Sequence, residues 1–197
     1  DNRGGNVTVE GVAFKGSYSG DAVTANSEAG QSANGTTTLI DVEIDSNFDN
    51  AACAYSDANN KLIVKSGTYN SGIRAENGSV VIEDGTVSLV KIIEGGTVDI
   101  SAGTIKGVQV DSGAKQPNIT GGDFTKMKYI SNWEIPAGSN LNVGLDGATR
   151  VWGFKIYDGS FGGTLNATTA DMTIGENVAI DDNFVDYINS CLAAGRR

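Results

Sequence analysis

Apolar and polar residues alternate in short bursts along this chain, and the bursts recur at a near-constant interval. Leu62-Ile-Val-Lys-Ser-Gly-Thr-Tyr69, Val80-Val-Ile-Glu-Asp-Gly-Thr-Val87 and Val98-Asp-Ile-Ser-Ala-Gly-Thr-Ile105 share one template, as do Pro117-Asn-Ile-Thr-Gly-Gly-Asp-Phe124 and Phe154-Lys-Ile-Tyr-Asp-Gly-Ser-Phe161. The template is apolar, x, apolar, x, x, Gly, x, apolar. Start positions 62, 80, 98 and 117 are 18, 18 and 19 residues apart, and the 37-residue step to 154 is two turns of about the same size. Apolar residues two apart point to one side of a strand, glycine at the sixth position allows positive φ, and the eighth residue re-enters the core. A second alternation follows in Val90-Lys-Ile92 and Val108-Gln-Val110.

A coil of 18 residues cannot bury its apolar side alone, but stacked coils can, with equivalent residues about 4.8 Å apart along the stack. The predicted core columns are Leu62/Val80/Val98/Pro117/Phe154, Val64/Ile82/Ile100/Ile119/Ile156 and Tyr69/Val87/Ile105/Phe124/Phe161. Pro117 lacks the N–H for a ladder, which predicts an irregular rung there. On the outside, the same register sets Lys65 beside Glu83 and Glu76 on Glu94. Val7–Phe14 and Val42–Phe48 read as earlier, looser copies, with 21–25 and 36–40 as additional strands. At the other end Phe184, Tyr187, Ile188, Cys191 and Leu192 fall at helical spacing, with Asp181 or Asp182 able to cap the start and Gly195 the end.

These elements predict an all-β fold, a single-stranded right-handed parallel β-helix (a β-solenoid) with coils of about 18 residues and a C-terminal capping helix. The β-helix spans 1–180, irregular over 1–61, regular over 62–116 and irregular again over 117–180, and 181–197 is the capping helix of the same domain. A left-handed helix built on hexapeptides also has 18 residues per coil. Its six-residue recurrence is met by Val98, Thr104 and Val110 but not by Leu62, Thr68 and Arg74. The Gly5–Phe14 segment and the repeated Ile/Val-x-x-Gly-x-Phe/Tyr turns resemble the pectin-lyase-like right-handed parallel β-helix. They are similar in particular to the SGGTF-type repeats of gut-bacterial surface proteins and adhesins, and the stretch 184–195 resembles the short helix that follows the last such repeat. The resemblance spans nearly the whole chain and implies fold rather than activity.

Charge narrows the functional classes. Fourteen Lys+Arg against 24 Asp+Glu give −10, with no histidine. That field opposes nucleic acid and anionic membrane surfaces, and the absence of histidine excludes a Ser-His-Asp triad and His-ligated zinc. Glycine is abundant at 27 residues against two prolines, as expected for many tight turns. Cys53 and Cys191 make no disulfide framework and read as buried free thiols. No segment approaches the length of apolar chain that spans a bilayer. A start at Asp1 and an open edge at Val7–Phe14 suggest a fragment of a longer exported protein, extracellular or at the cell surface.

The residues offer three kinds of chemistry. Glu83, Asp84, Asp99 and Asp123 lie near one another in the template and are the weak catalytic candidates. The Asn-Thr-Asp and Arg-Ile-Lys motifs of polygalacturonase-like enzymes are missing, and Asp181-Asp182 is explained by helix capping. Solvated turn positions are the plainer reading of the four carboxylates. No cofactor or catalytic metal is expected, although Asp41, Asp45 and Asp49 offer oxygen ligands for a structural calcium. Trp133, Trp152, Tyr129 and Tyr157 cluster in the irregular stretch and nominate a ligand-binding face, provided the indoles flank one groove rather than fill a wider core. The expectation is a non-enzymatic module that binds a polysaccharide, another glycan or a host protein on a solenoid face. A polysaccharide lyase or glycoside hydrolase and a plain structural stalk are the alternatives.

Overall fold

The computed structural model describes residues 1–26, 35–167 and 169–193. The chain is all-β, a parallel β-solenoid of about seven turns with coils of about 19 residues, plus one helix at the C-terminal end. It forms two compact units, Asp1–Gly122 and Asp123–Arg197.

In the first unit each coil gives one strand to a first sheet and one or two to a second. The coils are β1 (Gly5–Glu10), β2 (Ala13–Phe14) and β3 (Tyr18–Ala25); then β4 (Gly35–Ile40), β5 (Val42–Ile44) and β6 (Phe48–Tyr55). After them come β7 (Lys61–Val64) with β8 (Gly67–Glu76), β9 (Ser79–Ile82) with β10 (Thr86–Ile92), and β11 (Thr97–Ile100) with β12 (Thr104–Ile105) and β13 (Gly107–Val110), and β14 (Asn118–Ile119) closes the unit. The first sheet runs β1-β4-β7-β9-β11-β14. Its pairs are parallel, with Leu62 beside Val80 and Val80 beside Val98. The predicted columns are realised over the regular coils, where Leu62, Val64, Tyr69, Val80, Ile82, Val87, Val98, Ile100 and Ile105 are all buried, whereas Pro117 and Ile119 are only half-buried. The glycines at the sixth position stack as well. Gly67, Gly85 and Gly103 have φ of 117°, 110° and 91°, and a Cβ on Gly103 would lie 2.6 Å from the Gly85 carbonyl oxygen. Glycine is therefore required there twice over, by conformation and by space.

Two local readings change and a third holds. Val42 lies beside Gly67 and Ile44 beside Tyr69, so Val42–Ile44 supplies the end of a template, not its start. The start is Thr37, beside Leu62. The expected strand at 36–40 is present, but its threonine run hides its place as a template start, and the buried Thr37 hydroxyl is satisfied by the Asn2 side-chain amide at 3.1 Å. Second, Glu76 does not stack on Glu94, because a bulge between Val87 and Leu89 shifts the register so that Arg74 faces Lys91. Glu76 instead ion-pairs with Arg74. Third, the rung at Pro117 is indeed cut short, with β14 starting only at Asn118. The Lys65–Glu83 pair forms as expected, at 3.7 Å.

The second unit comprises β15 (Phe124–Ser131), β16 (Glu134–Ile135), β17 (Asn142–Ile156), β18 (Gly159–Leu165), β19 (Ala170–Ile174), β20 (Val178–Ile180) and α1 (Asp182–Ala193). Here β17 is 15 residues long and bends through register shifts against β15, β18 and β19. Its core holds a row of aromatic rings among aliphatic side chains. Phe124, Trp133, Phe154, Phe161 and Phe184 follow one another at centroid spacings of 5.4, 5.8, 5.3 and 4.8 Å, within the range of favourable tilted ring pairs. The helix is capped by Asp181, whose Oδ1 accepts from Phe184 N at 2.8 Å and whose Oδ2 accepts from Gly163 N at 2.8 Å. A side chain on Gly162 would collide with that carboxylate. The helix buries less than its spacing promised: Phe184 is buried, whereas Ile188 is 37% exposed. Residues 194–197, including the expected stop at Gly195, lie outside the described residues.

Candidate binding face

The four nominated aromatics separate into two environments. Trp133 is 1% exposed and its ring lies between Phe124 and Phe154, so it presents no face to solvent. It belongs to a template copy, Trp133-Glu-Ile135-Pro-Ala-Gly138, in which Ile135 lies beside Ile156. The proline and the polar Asn140 at the eighth position obscure that copy in a scan for apolar residues. Trp152, by contrast, is 46% exposed.

The alternation of β17 explains the difference. Val151 and Phe154 are fully buried, so Arg150 and Trp152 turn outward together, and Gly153 with φ 60° makes the correction that returns Phe154 to the core. Across the ladder Tyr129 lies beside Arg150 and Ser131 beside Trp152. Tyr129, Arg150 and Trp152 thereby line one groove of about 270 Å3, with Thr149 and Thr169 among its walls. The Arg150 guanidinium sits 5.8 Å from the centre of the Tyr129 ring, at the outer edge of cation–π range. Trp152 is held by its backbone, its carbonyl accepting from Asn132 N at 2.8 Å. The structure thus brings together two of the nominated aromatics, Tyr129 and Trp152. Tyr157 is half-buried at the end of β17 and does not line the groove, although its N–H bonds Ile135 O. Arg150 escaped the sequence reading, although its place two residues before Trp152 in an alternating strand is the signal that finds it.

A second and larger groove of about 420 Å3 passes over Gly144 and Gly162 beside Asn142, Ser160 and Asp181. Asn142 Oδ1 there accepts from the Ser160 hydroxyl at 2.7 Å, and Asp181 serves the helix. Its polar groups are engaged with one another and it has no exposed ring for a sugar to stack on.

The carboxylates are engaged in the local framework. Glu83 pairs with Lys65, Asp84 accepts from the N–H of Gly85 at 2.7 Å, and Asp99 accepts from the Asn118 amide at 2.8 Å. Asp123, in the second unit, accepts from both the N–H and the hydroxyl of Thr125, and these bonds hold it below its ordinary value. Asp41 is bonded to Ser66. Among the described residues no group of three or more His, Cys, Asp or Glu is placed to hold a metal ion.

The first unit carries one polar network that the sequence reading did not single out. Lys91 Nζ donates to Asn50 Oδ1 at 3.0 Å, and Asn50 Nδ2 donates to Asp21 at 2.7 Å. Gly72 makes the room, since a Cβ there would lie 3.0 Å from Lys91 Cε. Cys53, beside Arg74 in the ladder, has its thiol pushed up to about 12, first by burial and then by the Asp21 carboxylate that also accepts its proton in a hydrogen bond. Such a thiol is neutral and inert at physiological pH. Cys191 is half-buried, and both cysteines are free.

The fold and this face define a parallel β-solenoid with an outward aromatic–arginine groove. Comparison of the chain with protein-family models, with curated proteins and with solved structures gives no match in any of the three.

Proposed function

We propose that the chain is a non-enzymatic binding module whose ligand is a glycan, held on the outer face of the second unit. The observation that supports this most is the exposed Trp152 in one groove with Tyr129 and Arg150. An indole that costs the protein apolar exposure, flanked by a hydrogen-bonding cation, suits the two faces of a pyranose ring, one apolar and one hydroxylated. Strands hold all three side chains, so little ordering entropy is lost on binding. An extracellular or cell-surface setting, kinship with pectin-lyase-like or SGGTF-type proteins and the adhesin role belong to the same proposal. The lyase or hydrolase alternative draws no support from Glu83, Asp84, Asp99 and Asp123, which serve turns and ladder pairs.

The test is incubation with a panel of plant and host polysaccharides, with retained protein and soluble products both measured. Retention without products, lost in Trp152→Ala at unchanged unfolding midpoint, is the expected result. Release of oligosaccharides would replace this reading with an enzymatic one, and absence of both would leave a protein partner or a plain stalk.

A further inference from the structure

In a chain with net charge −10, a cation that lines a groove with no carboxylate in its walls bears on the charge of the ligand. Two lysines of the second unit are ion-paired, Lys128 with Asp146 at 2.8 Å and Lys155 with Glu134 at 3.1 Å. Arg150 forms no ion pair among the described residues, and no Asp or Glu lines its groove. Among the described residues its contact is with the Tyr129 ring. That contact positions the guanidinium from one side and leaves its planar N–H fork for an oxyanion, which it is shaped to meet in two parallel hydrogen bonds. Trp152 sits two residues further along the same outward row of β17, so an anion at Arg150 and a ring on the indole are a strand repeat apart, within the span of one substituted sugar. The groove, about 270 Å3, has the scale of one such unit rather than a long chain.

We propose that this groove selects acidic saccharides, with Arg150 binding the carboxylate or sulfate of a sugar whose ring packs on Trp152. The inference rests on the glycan reading above and adds the charge of the ligand. A neutral sugar can use the indole but leaves the guanidinium to water. An acidic one engages both.

The test is calorimetric titration of the full chain with three oligosaccharides of equal length: a sulfated glycosaminoglycan fragment, its desulfated uronate-bearing counterpart, and a neutral N-acetylglucosamine oligomer. The acidic probes should bind about tenfold more tightly than the neutral one. R150Q should abolish that preference, R150K should retain part of it, and W152A should weaken all three probes, each variant keeping the parent unfolding midpoint. A stronger response to the sulfated probe would make sulfate the anion read, and equal response of the two acidic probes would make it the carboxylate; both support the inference. Equal affinity for acidic and neutral probes, unchanged in R150Q but weakened in W152A, would overturn the inference and keep the glycan reading. Failure of all three to bind would overturn both.

Discussion

In the first unit the core is an aliphatic ladder, in which Leu62, Val80 and Val98 repeat one shape at one place on successive coils. In the second it is a row of rings from Phe124 through Trp133, Phe154 and Phe161 to Phe184. The aliphatic ladder of the first sheet favours regular coils, because compact branched side chains stack on one another only when register is kept. The aromatic row tolerates unequal coils, since rings tilt to fill uneven space. A bent 15-residue strand with register shifts can then turn Arg150 and Trp152 outward into one groove. The candidate site sits where the repeat is broken.

The largest effect should separate these cores. Trp133→Ala should cost about 3–5 kcal/mol, against about 0.5–1.5 kcal/mol for Ile82→Val in the ladder, in urea unfolding. Equal costs would mean that the Trp133 ring is not the centre of the second core.

The two thiols sharpen the comparison chemically. At pH 8 a thiol reagent should label Cys191 and leave Cys53 untouched until the protein unfolds. Because Cys53 is held protonated in the folded state, its stabilising contribution is fully present below its ordinary value of 9.0 and is lost as pH rises toward about 12. Stability measured between pH 8 and 11 should therefore fall, and Cys53→Ala should flatten part of that fall.

A smaller effect belongs to the helix. Asp181→Ala removes both the cap on Phe184 N and the acceptor for Gly163 N, and should cost about 1–2 kcal/mol in thermal unfolding. Asp181→Asn should recover only part of it, because its one amide oxygen can accept from Phe184 N or Gly163 N but not from both. An unchanged midpoint in Asp181→Ala would show that the helix is not held by this carboxylate. The smallest is Lys65→Ala, whose exposed pair with Glu83 should be worth less than about 0.5 kcal/mol.

How legible each part was follows from the same contrast. The solenoid, its coil length and the columns through Leu62, Val64 and Tyr69 were readable because the apolar period was unbroken. The strand around Thr37 was legible, but its place as a template start was hidden by a polar residue in a core position whose partner, Asn2, is remote in sequence. The Glu76 neighbour was lost to a single bulge, which no composition signals. At the site, aromatic content alone did not distinguish Trp133 from Trp152. Counting alternation from the buried Val151 does, and it also reveals Arg150.

The central claim is that the second unit uses its two tryptophans oppositely, one as core and one as contact surface. Acrylamide quenching of the single-tryptophan variants W133F and W152F tests it directly, with and without a bound oligosaccharide. The account predicts strong quenching of Trp152 that the saccharide suppresses, and weak quenching of Trp133 that the saccharide leaves alone. Equal quenching of the two indoles, or saccharide protection at Trp133 instead, would contradict it.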